Sequence, residues 1–148
     1  MRRGFSAFAV AGSLLAGVHG HHVRPVNYKK QYLALVAPAN KLVDKLVAEW
    51  DAKPTPSNAA ALKDAGPYIA ATETFDNRAL RDLWPTGVRG DIKALVVADG
   101  QVIAAIEALG SVTVLDSGSV RQQLMSAFTA EGTAANIVRS DLGLPANS

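Results

Sequence analysis

His19, His21 and His22 are the only imidazoles in this 148-residue chain, and they fall within four residues of one another. Imidazole and amine nitrogens suit Cu(II) or Ni(II). A chain beginning at His21 would offer His21, its terminal amine and His22 as a metal site. One beginning at His19 would place His21 third, an arrangement that also favours square-planar copper. The plainer reading is a terminus carrying incidental histidines, since no His- or Met-rich cluster stands downstream to complete a buried centre. Copper, if held, is expected at the periphery, through His21 and His22, and no cofactor is expected.

The rest of the chain is poor in reactive groups. It has no cysteine, which excludes disulfides, thiolate zinc sites, thiol nucleophiles and lipid attachment to cysteine. A Ser-His-Asp arrangement needs a histidine inside the fold, and none follows His22. The inward Glu-x-x-His pairs of di-iron bundles are missing, as are a Walker-type phosphate loop and a dinucleotide fingerprint. Paired carboxylates remain, the chemistry of glycoside hydrolysis. They would need an open cleft, for which a small bundle with filled apolar seams has little room. The expectation is that the protein is not an enzyme.

Two carboxylates stand out because each interrupts an apolar seam. Val88, Ile92, Leu95, Asp99, Val102, Ile106 and Leu109 step by fours and threes, so Asp99 faces inward. Val120, Leu124, Phe128, Glu131, Ala135, Val138 and Leu142 do the same with Glu131. A buried carboxylate without a partner is costly. Asn136, Arg139 or Lys93 is the expected partner, or escape of the longer Glu131 side chain to the surface. Asp99 is read as a register-setting polar contact, with a shared cation site as the alternative. Tyr28, Tyr32, Trp50, Tyr68 and Trp84 are candidates to line an apolar-ligand pocket, against the plainer role of core packing and end plugs. Arg78, Arg81 and Arg89 are expected to pair with Asp76, Asp82 and Asp91 as solvated charges.

The elements that must position these residues are four amphipathic segments. The first, about 27–52, carries Tyr28, Tyr32, Leu35, Val36, Ala39, Leu42, Val43, Leu46 and Trp50 on one face, with a kink or split expected near Pro38. The second runs from an N-cap at Ser57 or Asn58 to about Leu83, its stripe being Ala61, Leu62, Ala65, Ile69, Thr72, Phe75, Ala79, Leu80 and Leu83. Gly66-Pro67 should bend it or divide it into two shorter helices. The third spans about 85–109, with Gly110 as its stop. The β-branched run Val112-Thr113-Val114-Leu115 has no partner strand and reads as a packed connection. The fourth runs from about Ser117 or Ser119 to Asp141, closed by Gly143-Leu144-Pro145. Short connections favour an all-α, antiparallel four-helix bundle over residues 21–148 as a single domain.

Three stretches carry a resemblance: Tyr32-Leu33-Ala34-Leu35-Val36-Ala37-Pro38-Ala39-Asn40; Leu83-Trp84-Pro85 with Val88-Arg89 and Asp91-Ile92; and Asn136, Arg139 and Asp141-Leu142-Gly143-Leu144-Pro145. In these the chain resembles a group of small, Ala-rich, exported or lipid-anchored helical proteins of high-GC Gram-positive bacteria. The resemblance spans most of residues 21–148 and implies location and fold. The group has no assigned activity, so no catalytic residue follows from it.

Met1-Arg2-Arg3-Gly4 is a positive start, and the fourteen residues from Phe5 to Val18 are uncharged and mostly apolar. Roughly 20 apolar residues are needed to span a bilayer, whereas fourteen suit a signal-peptide core. Residues 1–20 are therefore read as a signal peptide. Val18-His19-Gly20 places small residues for cleavage after Gly20; Arg2-Arg3 leaves general and twin-arginine export both open. Leu14-Leu15-Ala16-Gly17 begins like a lipoprotein box, but Val18 stands where the acylated cysteine belongs. Without Arg2 and Arg3, the 15 basic and 13 acidic residues become 13 of each, a net charge of zero. Nucleic-acid binders rely on a basic surplus, so nucleic acid is not an expected partner. Membrane contact is expected only through an uncleaved leader.

The expected function is that of a secreted or cell-envelope protein acting as a binding or structural interaction module, with an unidentified protein as partner. The alternative is a carrier of a small apolar ligand between its helices. Aromatic and small residues facing a common void would favour the carrier; a seam closed throughout would favour the module.

Overall fold

The structure is a computed structural model and describes residues 26–52, 57–111 and 117–147. It is an all-α four-helix bundle: α1 (Tyr28–Ala52), α2 (Asn58–Arg81), α3 (Thr86–Ser111) and α4 (Ser117–Asp141). Each helix packs on the next in the chain. Tyr32 near the start of α1 meets Phe75 near the end of α2, while Leu46 and Ala61 share a core at the other end, so the neighbours run antiparallel. Among the described residues there is no strand, and no helix is long and apolar enough to cross a membrane. The Val112–Leu115 run and the whole leader lie outside the described residues.

Local chemistry sets the helix ends. The Asn27 side-chain oxygen accepts from the Lys30 amide at 3.0 Å, and Ser57 Oγ accepts from the Ala60 amide at 3.3 Å, which makes both N-caps. Pro85, whose missing N–H is no loss at this position, accepts from the Val88 and Arg89 amides and opens α3. At the end of α4, Gly143 has φ +64, the Gly143 amide donates to the Ser140 carbonyl, and the Leu144 amide donates to the Arg139 carbonyl. That is the left-handed glycine cap expected from Gly143-Leu144-Pro145.

Two expectations about breaks change. α1 runs without interruption through Pro38, and α2 through Gly66-Pro67, so neither helix is split. Pro38, Gly66 and Pro67 are all exposed, and water can serve the carbonyls that these prolines leave without a helical donor. Gly110 lies in the last turn of α3, one residue before its end at Ser111. Its place is explained by packing: a Cβ there would come within 3.0 Å of Leu62 Cβ and 3.1 Å of Leu62 Cγ, so only glycine admits α2 this close. α2 in turn ends at Arg81 because Asp82 is extended, with φ −70 and ψ 148. Leu80 and Leu83, read as part of the α2 stripe, are exposed; Tyr68, at 2% exposure, takes an inward place instead.

The core is divided in two. One cluster gathers Tyr32, Leu35, Phe75, Trp84, Ile92 and Val138; the other gathers Leu46, Ala65, Tyr68, Val102, Ile106 and Leu124. Each fully buried large aliphatic side chain contributes about 1.5–3 kcal/mol. Between the two clusters, at mid-height, the inward positions are Thr72, Asp99 and Glu131.

Candidate functional site

That polar level opens into a cavity of about 160 Å³ lined by residues of all four helices. Val36, Ala39, Asn40 and Val43 come from α1; Tyr68, Thr72 and Phe75 from α2; Leu95 and Asp99 from α3. α4 supplies Phe128, Glu131, Gly132 and Ala135, and Asn147 reaches it from the tail. Its origin lies in the stripes. At these heights small residues (Ala39, Gly132 and Ala135) and polar ones (Thr72, Asp99 and Glu131) stand in place of large apolar side chains.

Asp99, at 2% exposure, is as buried as the leucines around it. Its carboxyl is hydrogen-bonded to that of Asp76 from α2. Burial first, then this Asp76 hydrogen bond and charge, and then Glu131, push Asp99 up to about 9. Burial also raises Asp76, though the hydrogen bond from Asp99 works against it. Burial and the neighbouring charge therefore favour a proton held by the pair as a whole. Glu131 is raised by burial, and the Tyr68 hydroxyl, donating to its Oε1 and Oε2 at 3.3 and 3.4 Å, partly offsets this. Burial, followed by the charge of Glu131, raises Tyr68 well above a free phenol. Tyr68 and Phe128 stack obliquely, with centroids 6.1 Å apart. Asp99 Oδ1, Asp76 Oδ1 and Thr72 Oγ1 are buried and have no hydrogen-bond partner among the described residues.

The partners expected from sequence are engaged elsewhere. Arg139 Nε donates to the Pro145 carbonyl at 2.6 Å, and Asn136 Oδ1 accepts from the Asn147 amide at 2.8 Å. Lys93 is exposed. Asp76, expected as a solvated charge beside Arg78, is half-buried and lies against Asp99 instead. It belongs to the run Asp76-Asn77-Arg78 and reads as a surface charge, yet it follows Thr72 by one turn and stands at the edge of the inward stripe. Asp82 accepts from Gln31 Nε2 at 2.7 Å rather than from an arginine, and Asp91 lies beside Asp141, holding that carboxyl above its usual range.

Of the aromatic candidates, Tyr68 lines the cavity. Tyr32 packs edge-on against Phe75 at 6.3 Å, behind the cavity wall, with its hydroxyl raised to about 12 chiefly by burial. Trp84 plugs the far end of the bundle: its Nε1 donates to the Ala79 carbonyl at 2.7 Å, and its ring lies 6.3 Å from Tyr28. The side chain of Trp50 and both metal candidates, His21 and His22, lie outside the described residues. Among the described residues no group of three His, Asp or Glu is arranged to hold a metal ion. A larger groove of about 700 Å³ runs over α3 and α4, but its walls, such as Gln101, Ala104, Gln122 and Ser126, are neutral and mostly exposed.

Chemically, the mid-height cavity offers the Asp99 and Glu131 carboxyls, the Tyr68 phenol, the Thr72 hydroxyl, the Asn40 and Asn147 amides and apolar walls. No family model, no curated protein and no solved structure matches the chain.

Proposed function

We propose that this chain is an exported, non-enzymatic helical protein of the cell envelope or medium, and that it carries a small ligand between its helices. The observation supporting the carrier is the cavity itself. Aromatic Tyr68, Phe75 and Phe128 and small Ala39, Gly132 and Ala135 face one void, together with polar Asn40, Thr72, Asp99, Glu131 and Asn147. The site is more polar than a purely apolar-ligand pocket, because Asp99, Glu131 and Thr72 share it with the aromatic rings. The broader reading as an interaction module draws on Leu80 and Leu83, which are 55% and 79% exposed on the outside of the bundle. Exposed apolar residues of this kind are ordinary on folded proteins, so the cavity weighs more.

Support for export comes from Met1-Arg2-Arg3-Gly4 and the apolar run behind it. Support for a non-enzymatic role comes from the want of an imidazole after His22 and from burial that holds the Asp76–Asp99 proton inside the core.

A screen of fragment-sized compounds against the ¹⁵N-labelled chain tests the carrier. Saturable shifts confined to the amides of Phe75, Phe128, Gly132 and Ala135 are expected for some members; shifts only on the outer surface would remove the reading. Intact mass of protein recovered from the host's medium and envelope tests export. A mass lacking about the first twenty residues is expected, and a cytosolic product retaining Arg2 and Arg3 would contradict it.

A further inference from the structure

Besides the amides of Asn40 and Asn147, the polar side chains lining the cavity are two carboxyls and two hydroxyls. Thr72 and Asp99 are each 2% exposed, both line the cavity, and Thr72 Oγ1 and Asp99 Oδ1 have no partner among the described residues. Leaving one such oxygen dry inside a core is costly, so two on one cavity call for a partner there. Glu131 adds a carboxylate from the facing helix. The donor on it is the Tyr68 hydroxyl at 3.3 and 3.4 Å, long contacts that leave acceptor capacity over. No Lys, Arg or His lines the cavity among the described residues.

We propose that this cavity binds a small primary ammonium, its three N–H donors meeting Glu131, Thr72 and Asp99 and its short aliphatic tail lying against Val36, Val43 and Phe128. The inference rests on the carrier reading and names its ligand class. A primary ammonium carries three donors and no acceptor, the complement of this set. The faces of Tyr68 and Phe128 favour a cation further. A bare metal ion fits less well: no three carboxylates are grouped to hold one, and apolar walls give it nothing. The volume of about 160 Å³ exceeds several-fold the roughly 10–15 Å³ that one water requires, so a ligand of several heavy atoms has room.

Titration of the ¹⁵N-labelled full chain with n-butylammonium chloride, n-butanol and potassium chloride at matched ionic strength tests this. n-Butylammonium should give saturable shifts at Phe75, Asp99, Phe128 and Glu131. n-Butanol, of similar shape but uncharged, should bind at least about tenfold more weakly, and Glu131→Gln and Thr72→Val should each weaken the amine by about tenfold. Circular dichroism shows whether those near-isosteric variants remain folded, and the wild-type comparison of amine with alcohol does not depend on them. Equal binding of alcohol and amine would overturn the ammonium inference while leaving the carrier standing. Equal shifts with potassium alone would overturn it in favour of an ion site. If neither organic probe shifts a lining residue, the ammonium inference falls, and the carrier is then decided by its own screen.

Discussion

At the residue scale the Asp76–Asp99 pair governs how stability responds to pH. The Asp99 carboxyl titrates near 3.9 in an unfolded chain and is pushed up to about 9 in the bundle. Between those values the folded state binds more protons than the unfolded one, so stability is fullest at the acidic end and falls as pH rises. Asp76 and Glu131, both raised, act in the same direction. The slope for one proton is at most about 1.4 kcal/mol per pH unit. The melting temperature is therefore expected to be higher at pH 5 than at pH 8.5, and Asp99→Asn should flatten that difference; thermal melts across the range check it. Thr72→Val exchanges an unpartnered hydroxyl for a methyl and should hold or raise stability, by up to about 1 kcal/mol in denaturant titrations. The inward direction of Asp99 and Glu131 was legible in the three- and four-residue steps. Their partners were not. Asp76 and Tyr68 reach them across helices, and no local pattern in a sequence encodes which face of α2 meets α3 at that height.

At the element scale, the four helices and most of their ends follow from local chemistry. Asn27, Ser57 and Gly143 are capping residues whose hydrogen bonds depend on neighbours a few positions away. Such features can be read from the chain. Pro38 and Gly66-Pro67 mislead because a proline disturbs a helix less when its surroundings are wet, and exposure is a tertiary property. Gly110 has a second role that the sequence does not display: it stands next to the end of its helix and also lets Leu62 approach. Gly110→Ala should destabilise by about 1–2 kcal/mol, the cost of overpacking less a gain in helix propensity. Adding Leu62→Ala should make the penalty for the alanine at 110 vanish, as a double-mutant cycle in denaturant will show.

At the scale of the whole molecule, two apolar clusters hold the bundle, and the polar cavity lies between them. The cluster that contains Tyr68 is closed around Ile106, which is 0% exposed, with Val102, Leu46 and Leu124. Ile106→Ala should cost about 2–5 kcal/mol, read as a lower denaturant midpoint with unchanged slope. A sloping, non-cooperative transition in the wild type would contradict a single packed domain. The bundle itself was legible because four amphipathic stripes with short connections have few other ways to bury themselves. The cavity was not, because it depends on small residues of α1 and α4 meeting polar ones of α2, α3 and α4 at one level.

That cavity is the centre of the account, and native mass spectrometry of protein recovered from its own host tests it most directly. Ala135 lines the cavity and is only partly buried, so Ala135→Leu should fill the space while keeping the fold. The wild type is expected to carry a small bound mass that the Ala135→Leu protein lacks. A bare wild-type chain, or the same bound mass on both proteins, would contradict a ligand held between the helices.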